Sequence, residues 1–448
     1  MNFKMTFEHT TSSAGQRISF LMKGRLLIWL QAINFFVQSV LVVAVLASTA
    51  QAQAAYNWDQ IKSKFEAANP TLKADAIGVQ EMKAQEITAY LRPNPSISFL
   101  ADQLYPFYSN PYYRPFTNSL IMGTISYLHE RQHKRELRLQ SAQEGTQIAS
   151  DLHLDLERTL LFTLRSAFVQ TLQAKAVVDL SRQQLAYYDN IISISRERFK
   201  AGDLAQVDLD RIELQRVQYE SDLQTAEVNL RTAKIQLLQL LNERTPVDQF
   251  DIQGPFDYSD QLQPLDSFRQ TAVDNRPDLK AALESVQQAN TNHKLAVANG
   301  STDPTFSVDV ARNSPPIADP YVGVGVSIPL RVFDRNQGEK LRTQLDIGRN
   351  QQLTEAARAG VFSDVDSAYA MVNSNLILLR PYKAQYLAQA LRVREIITFS
   401  YQHGGAALLD FLNAQSDYRT VQLAYLQLIG SYLTAAAQLN LAVGREVI

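Results

Sequence analysis

Five consecutive residues, His129-Glu130-Arg131-Gln132-His133, have the H-E-x-x-H arrangement. In zinc proteases two histidines at this spacing share one helix face and bind the metal, while the glutamate acts as the general base. The segment here follows an alternating strand pattern rather than lying inside a helix. Its counterpart in the second half, 331–335, contains no histidine. We therefore interpret the five residues as surface residues at a strand–helix junction and expect no catalytic, metal or cofactor site; weak metal contact is the alternative.

Two stretches with the same layout, 199–215 and 401–417, contain a second group of candidate residues. Each has an aromatic residue, then glycine three positions later, alanine after six and aspartate after nine. A glycine just past a helix end adopts the left-handed conformation that reverses the chain at little cost. Each stretch is therefore predicted to be the tip of a helical hairpin. The residues of interest are Gly202, Asp203 and Asp208 in the first stretch, and Gly404, Gly405 and Asp410 in the second.

The composition of the 448 residues excludes several classes of function. The net charge is −2 and charged residues make up 20%, so no basic surface points to nucleic acid. The chain has no cysteine. This excludes disulfides, thiolate metal sites, cysteine nucleophiles and an N-terminal lipid anchor on cysteine.

Residues 1–52 have the layout of a signal peptide. Arg17, Lys23 and Arg25 precede an apolar run, and Ala50-Gln51-Ala52 has the small-x-small form of a cleavage site. Translation from Met1 or from Met22 fits this layout equally well. A retained inner-membrane helix is the alternative, because the apolar run is long enough to span a membrane. We expect an exported chain.

The predicted elements occur in the same order twice, which indicates an internal duplication. The first repeat covers 53–242 and the second 265–448, and a linker at 243–264 joins them. Each repeat begins with helices, continues with a β-hairpin and ends with a long helical hairpin. The β-hairpins are predicted at about 96–128 and 305–329, and the helical hairpins at 131–242 and 336–444.

Apolar residues spaced three and four apart follow both hairpin turns and define a seam of coiled-coil type. A second, weaker stripe on the first of these helices indicates a helix packed between two neighbours. The seam positions are Leu209, Ile212, Arg216, Tyr219, Leu223, Ala226, Leu230, Ala233, Leu237 and Leu240, of which all but Arg216 are apolar or aromatic. The positions 202 residues later are Phe411, Ala414, Tyr418, Val421, Tyr425, Leu428, Tyr432, Ala435, Leu439 and Ala442, all apolar or aromatic. The second stripe consists of Val207, Leu214, Val217, Val228, Ile235 and Leu238.

The four predicted strands match the length of strands that cross a membrane, about 9–11 residues. Four strands are too few to close a barrel wide enough for a pore, since known single-chain barrels begin at about eight. We therefore expect several chains to contribute strands to one barrel in a cyclic oligomer.

The layout and several motifs resemble the TolC-like outer-membrane efflux factors over essentially the whole mature chain. Asn69-Pro70 and its echo Arg276-Pro277, together with the two turn motifs, carry this resemblance. The strand-to-helix corner at 324–338 looks specifically like the heavy-metal branch typified by CzcC and CusC. The residues of that corner are Pro329, Asp334, Arg335, Asn336 and Gly338.

The resemblance implies a homotrimer, mainly α-helical with a β-barrel portion. A twelve-stranded barrel would lie in outer-membrane lipid, and a twelve-helix tunnel would cross the periplasm. Such trimers are passive exit ducts that dock onto a periplasmic adaptor (a membrane fusion protein) and an inner-membrane pump of the resistance-nodulation-division class. Heavy-metal cations are the favoured cargo, and drugs, dyes or signalling molecules are the alternative. A different class, a periplasm-spanning coiled-coil tether or adhesin, is disfavoured by the regular strands and duplicated tips.

The resemblance also assigns roles to residues at the tips. Asp410, with Asn413 one turn further along, falls where the family narrows the periplasmic mouth, and Asp208 is a second candidate for this constriction. A helix-start aspartate stabilised by the helix dipole, or a pair between Asp208 and Arg211, is the structural alternative. Gly202, Asp203, Gly404 and Gly405 would contact the adaptor. The chain departs from the pattern at Asp210, where leucine is usual, and the aromatic loop 105–116 suits a membrane-interface girdle.

Overall fold

The structure is a computed structural model, which describes residues 55–104, 119–313 and 319–447. The predicted signal peptide at 1–52 and the aromatic loop at 105–116 lie outside these ranges. Among the helices of the described residues, none contains a segment long and apolar enough to span a membrane.

The described chain divides into two compact units. In the small one, the Tyr56 amide donates a hydrogen bond to the Asp251 carbonyl at 3.0 Å, and the Tyr56 and Phe250 rings pack with centroids 5.9 Å apart. The large unit comprises 57–247 with 252–447 and contains all the helices and strands discussed below.

The large unit is mainly helical with one small antiparallel sheet, as the sequence predicts. In the first half the elements are α1 Trp58–Ala68, α2 Pro70–Tyr90, β1 Ser96–Asp102, β2 Leu120–Leu128, α3 Lys134–Ala201 and α4 Gln206–Leu240. In the second half they are α5 Leu265–Asn275, α6 Pro277–Asn299, β3 Thr305–Asn313, β4 Pro320–Ser327, α7 Gln337–Pro381, α8 Leu387–Gln402 and α9 Leu408–Val443.

Two caps explain how the first helices begin and why they stay separate. The Asn57 side chain and Gln60 form a reciprocal capping box at the start of α1. Asn69 ends α1 and caps α2 by accepting a hydrogen bond from the Leu72 amide at 3.0 Å, with Pro70 in the first turn. Proline fits this position because its missing N–H would have no partner there anyway.

The four strands form one antiparallel sheet in the order β1-β2-β3-β4. The register places apolar side chains in rows across one face, and one such row consists of Ile97, Ile125, Val308 and Val324. The opposite face carries mainly small and polar residues, apart from the row of Leu100, Met122, Ala311 and Tyr321; the row next to Ile97 consists of Ser98, Thr124, Asp309 and Gly323. The apolar row is exposed in the single chain, and Val324 reaches 86% exposure.

Helix α3 is continuous over 68 residues, which corresponds to about 100 Å at ~1.5 Å per residue. The prediction of one long helix from Asn336 to Gln402 is wrong in one respect. A π-helical turn, Tyr382–Tyr386, separates α7 from α8 immediately after Pro381. The physical reason is the proline, since it has no amide to donate and its ring crowds the preceding turn, which a wider turn accommodates.

The predicted seam is buried or half-buried within the single chain, whereas the second stripe is exposed. Leu209 and Ile212 on α4, and Phe411 and Leu439 on α9, are buried. The second stripe on α4 remains in solvent except for its last member, Leu238; its exposed residues are Val207, Leu214, Val217, Val228 and Ile235. A chain that leaves such a stripe uncovered has an apolar helix face available to a neighbouring chain.

Candidate functional site

The two hairpin tips have the same backbone hydrogen bonds, 202 positions apart. Gly202 and Gly404 both have positive φ, at +84° and +77°. In the first tip the Asp203 amide donates to the Arg198 carbonyl at 2.9 Å; in the second, the Gly405 amide donates to the Ser400 carbonyl at 2.8 Å. This bond satisfies a carbonyl that the helix end would otherwise leave without a donor. The matching layout in the sequence therefore produces matching turns.

Buried side chains of both hairpins form one hydrophobic cluster behind the tips, and each hairpin contributes an aromatic pair to it. Tyr401 stacks on Phe411 with ring centroids 4.9 Å apart, and Tyr188 packs on Tyr219 at 4.7 Å. The Arg198 guanidinium donates to the Tyr401 carbonyl at 3.1 Å, which joins the end of α3 to the second tip. Arg198 also lies 5.4 Å from the Tyr401 ring centroid, a cation–π distance. The tips thus form one packed cluster within the chain.

Asp410 and Asn413 are both exposed in the first turns of α9. They share one face of the helix because they lie three residues apart. Within the described residues the structure gives the Asp410 carboxylate no hydrogen bond or ion pair. Its position at the helix N-terminus is electrostatically favourable, since the helix dipole attracts negative charge there. An exposed, unpaired carboxylate is available to a passing cation.

Asp208 lies at the equivalent position in α4 but is half-buried. No Asp208–Arg211 ion pair occurs in the described part of the chain. Burial raises the pKa of the Tyr401 hydroxyl, and the nearby Asp208 carboxylate acts in the same direction. Asp208 therefore lies near Tyr401 of the packed cluster, whereas Asp203 is exposed at the turn itself. Asp210, the departure from the family pattern, accepts a hydrogen bond from Gln206 at 2.7 Å.

The H-E-x-x-H segment lies in the loop between β2 and α3, where the sequence predicts it. The carboxylate of Glu130 is engaged by the Arg138 guanidinium at 2.5 and 2.9 Å. His133 adopts positive φ, at +54°, just before α3 begins, so the two histidines do not share a helix face. Within the described residues, no cluster of three or more potential metal ligands occurs.

The strand-to-helix corner after β4 is built from side-chain caps. Asn336 has φ of +60°, its amide donates to the Asp334 carboxylate at 2.8 Å, and its side chain donates to the Ala296 carbonyl at 2.7 Å. The Arg335 amide donates to the Gln337 side chain at 2.8 Å. Gly338 meets no neighbouring side chain, and Pro329 follows the strand. Three apolar residues of the corner are exposed: Leu330, Val332 and Phe333.

The corner after β2 is held to the second half of the chain by a buried ion pair. Lys134, whose side chain is 4% exposed, contacts the Asp303 carboxylate at 2.5 Å, and Asp303 also accepts from the Arg131 amide at 2.9 Å. Burial opposes ionisation of Asp303, but Lys134 and the Arg131 amide outweigh it and lower the pKa of the carboxyl. The two strand-to-helix corners therefore use different polar contacts.

Sequence reasoning missed the polar contacts that join distant segments. Arg276 illustrates this: its guanidinium binds Asp278 at 2.6 Å and Asp364 at 2.8 Å, and reaches the Ala442 carbonyl. Arg276-Pro277-Asp278 is visible as a motif, but nothing in the sequence assigns Asp364 as its partner. The burial of Tyr188 against Tyr219 was also missed. The only sequence signal for it is the apolar periodicity of the helix around Tyr188.

The sequence of this chain is similar to a family model and to proteins of known role. Residues 268–445 match the family model described as outer membrane efflux protein. The cobalt-zinc-cadmium resistance protein CzcC of Cupriavidus metallidurans is 22% identical over 313 residues, which are 70% of this chain and 74% of the relative. The outer membrane protein TolC of Escherichia coli is 24% identical over 282 residues, covering 58% of this chain and 56% of the relative.

Solved structures share the fold. The crystal structure of CusC superposes with a TM-score of 0.71 at 16% identity, covering 86% of this chain and 92% of that chain. The open state of the Neisseria gonorrhoeae MtrE outer membrane channel gives a TM-score of 0.69 at 17% identity, covering 86% and 88%. At this level of identity the likeness concerns the fold.

Proposed function

The chain belongs to the outer membrane efflux protein family, as the sequence resemblance predicted, and on that premise we propose that three copies of it form the exit duct of a tripartite efflux system. The family consists of outer membrane efflux channels, which are passive ducts, so the expectation of no enzymatic activity is confirmed. The proposed cargo is divalent heavy-metal cations. An inner-membrane pump of the resistance-nodulation-division class and a periplasmic adaptor would deliver it.

The observation that carries the proposal is the four-stranded sheet with its exposed apolar face. Rows of Ile, Val and Phe side chains cover one face, and the single chain buries almost none of them. A soluble protein would cover such a face, whereas lipid hydrocarbon favours it. Within the described residues, the outer edges of β1 and β4 pair with no other strand. An open edge in lipid leaves N–H and C=O groups without partners, so strands of neighbouring copies would close the sheet.

The helical hairpins support the same assembly. The second stripe on α4 is apolar and uncovered, so a neighbouring hairpin would bury it. Burial of such side chains contributes about 25 cal/mol per Å² of apolar surface removed from water. In a ring of three chains, each chain would pair its strand edges with its neighbours and bury its second stripe against one of them. The same threefold rotation would produce both contacts.

The tips supply the proposed gate and docking surface. Threefold symmetry would bring three Asp410 carboxylates and three Asn413 side chains together at the periplasmic mouth, forming a ring that attracts cations. Asp208, which is half-buried, would contribute less to this constriction. Gly202, Asp203, Gly404 and Gly405 are exposed at the turns, which suits contact with the adaptor.

The cargo is proposed from similarity to a protein with a stated role. CzcC is named a cobalt-zinc-cadmium resistance protein, and the corner at 324–338 points to the same branch. The proposed ring of Asp410 carboxylates suits divalent cations electrostatically.

Metal tolerance of cells that lack this chain tests the proposal. We expect deletion to lower tolerance to cobalt, zinc or cadmium while leaving tolerance to organic dyes unchanged, and the intact gene to restore it. Outer-membrane fractions of the restored cells should contain a heat-modifiable trimer. Loss of dye tolerance with unchanged metal tolerance would assign organic cargo to the duct. Absence of trimers from the outer membrane would contradict the duct itself and favour a coiled-coil tether.

A further inference from the structure

A small cavity lies inside the helical hairpins, where α3, α4, α8 and α9 meet. It has a volume of about 50 Å³. On this measure ~10–15 Å³ is enough to hold one water molecule. The cavity therefore has room for a monatomic ion. Its lining consists of Leu180, Gln183, Gln184, Tyr187, Tyr188, Tyr219, Arg394, Gln415 and Tyr418.

Three hydrogen-bond donors at this cavity have no acceptor. Within the described residues, the Tyr188 hydroxyl, the Gln184 side-chain amide nitrogen and the Arg394 Nε are buried without a hydrogen-bond partner. Tyr188 is only 1% exposed. Burial raises the pKa of its hydroxyl, so the group keeps its proton and can donate. Buried donors without acceptors are costly, at about 1–3 kcal/mol each, which indicates that a ligand satisfies them.

Arg394 brings a positive charge that the chain does not balance. Its guanidinium lies between two rings, 4.7 Å from the Tyr187 centroid and 4.0 Å from the Tyr418 centroid. Among the described residues no carboxylate forms an ion pair with it, and the cavity lining contains neither aspartate nor glutamate. The neighbouring Arg419, by contrast, is paired with Asp222 on α4. One unbalanced cation beside three donors is a setting that favours an anion.

We propose that this cavity binds a small inorganic anion, chloride in the cell, held by the Tyr188 hydroxyl, the Gln184 amide and the Arg394 guanidinium. Gln184 and Tyr188 belong to the first helical hairpin and Arg394 to the second, so the anion ties the two hairpins of one chain together. The site does not depend on the proposed cargo. It stabilises the packing of the hairpins behind the tips.

Bromide provides the direct test, because it replaces chloride and scatters anomalously. Crystals of the full-length assembly grown in sodium bromide should show an anomalous peak within hydrogen-bond distance of Tyr188 Oη, Gln184 Nε2 and Arg394 Nε. In solution, the thermal unfolding midpoint should rise saturably as chloride replaces gluconate at constant ionic strength.

Variants connect the effect to the named residues. Arg394→Met should abolish the chloride-dependent rise, whereas Arg392→Met, an exposed arginine on the same helix, should retain it. Tyr188→Phe removes a single donor and should raise the apparent dissociation constant for chloride about tenfold; it carries the test if Arg394→Met fails to fold. Equal stabilisation by chloride and gluconate, or a cavity holding water only with no bromide peak, would overturn the proposal. Equal loss in the two arginine variants would also overturn it.

Discussion

At the scale of single residues, Asp410 has the most specific proposed role. Its carboxylate is exposed, unpaired within the described residues and located at the start of α9. Asp410→Ala should raise single-channel conductance and weaken block by divalent cations, because it removes three charges from the proposed ring at once. Recordings of the purified assembly in planar bilayers measure both quantities.

Asp203→Ala is the matched control for this prediction. Asp203 is also an exposed tip carboxylate, but we assign it to adaptor contact rather than to the constriction. Its removal should leave conductance and cation block unchanged. Equal effects of the two substitutions would contradict the different roles of the two carboxylates, and unchanged conductance in Asp410→Ala would remove this residue from the constriction.

The Arg276 network makes a prediction about stability. The Arg276 side chain is 7% exposed and contacts both Asp278 and Asp364. Arg276→Met should lower the free energy of unfolding by about 2 kcal/mol, because it leaves the half-buried Asp278 carboxylate without its partner. Arg342→Met, which breaks the exposed pair with Glu339, should cost less than about 1 kcal/mol. Denaturant unfolding of the two variants measures the difference.

The dependence of unfolding on pH checks the same network. Burial works against ionisation of Asp278, but Arg276 outweighs it and lowers the pKa of the carboxyl below the ordinary value of 3.8. A lowered folded-state pKa stabilises the fold above the unfolded-state pKa, and this contribution is lost as the pH falls through the folded-state value. The difference between the intact chain and Arg276→Met should therefore shrink below about pH 4. A difference that stays constant in acid would contradict the ion-pair explanation.

At the scale of elements, the hairpin turns depend on glycine for a reason that can be measured. Gly404 has φ of +77° and contacts no side chain, so Gly404→Ala introduces backbone strain without a clash and should destabilise the fold by about 1 kcal/mol. Gly348 lies in the middle of α7 with open space around it. Gly348→Ala should stabilise the fold by about 0.5–1 kcal/mol through helix propensity. Thermal unfolding should show opposite signs, and equal signs would contradict the left-handed role of Gly404.

Local signals explain how much of the fold the sequence predicts. Asn69-Pro70 marks the boundary between α1 and α2, and the alternation of valine and glycine marks β4 within one residue of its position. The two hairpin turns are predicted in the same way, because the left-handed conformation that ends each helix favours glycine. The break at Pro381 was overlooked because the apolar periodicity continues across it, although the proline itself was the available signal.

Contacts between distant segments set the limit of such prediction. The cavity of Tyr188 and Arg394 joins residues about two hundred positions apart, and Arg276 meets Asp364 across α6 and α7. Periodicity assigns such residues to a face of a helix, but it does not say which helix packs on that face. The tip residues can be predicted as a group because their motif occurs twice in the sequence. The cavity residues belong to no repeated motif, so the sequence does not single them out.

At the scale of the whole molecule, the sheet predicts a membrane environment on one face only. Val324 is 86% exposed in an apolar row, and Ser98 lies in the adjoining row on the polar face. Val324→Lys should reduce the amount of heat-modifiable trimer in the outer membrane, because a charge facing lipid costs about 2–4 kcal/mol near the bilayer midplane. Ser98→Lys should leave the amount nearly unchanged. Equal reductions by the two substitutions would contradict the assignment of the apolar face to lipid.

Electrical recording from the purified assembly shows whether copies of this chain form an aqueous duct. The outer-membrane protein, extracted as a heat-modifiable trimer and added to a planar lipid bilayer, should produce discrete conductance steps of uniform size. Steps of that kind require a continuous aqueous path built from several copies of the chain, since the described part of one chain supplies four strands. A purified trimer that inserts without conducting, or a chain that remains monomeric outside the outer membrane, would contradict the account.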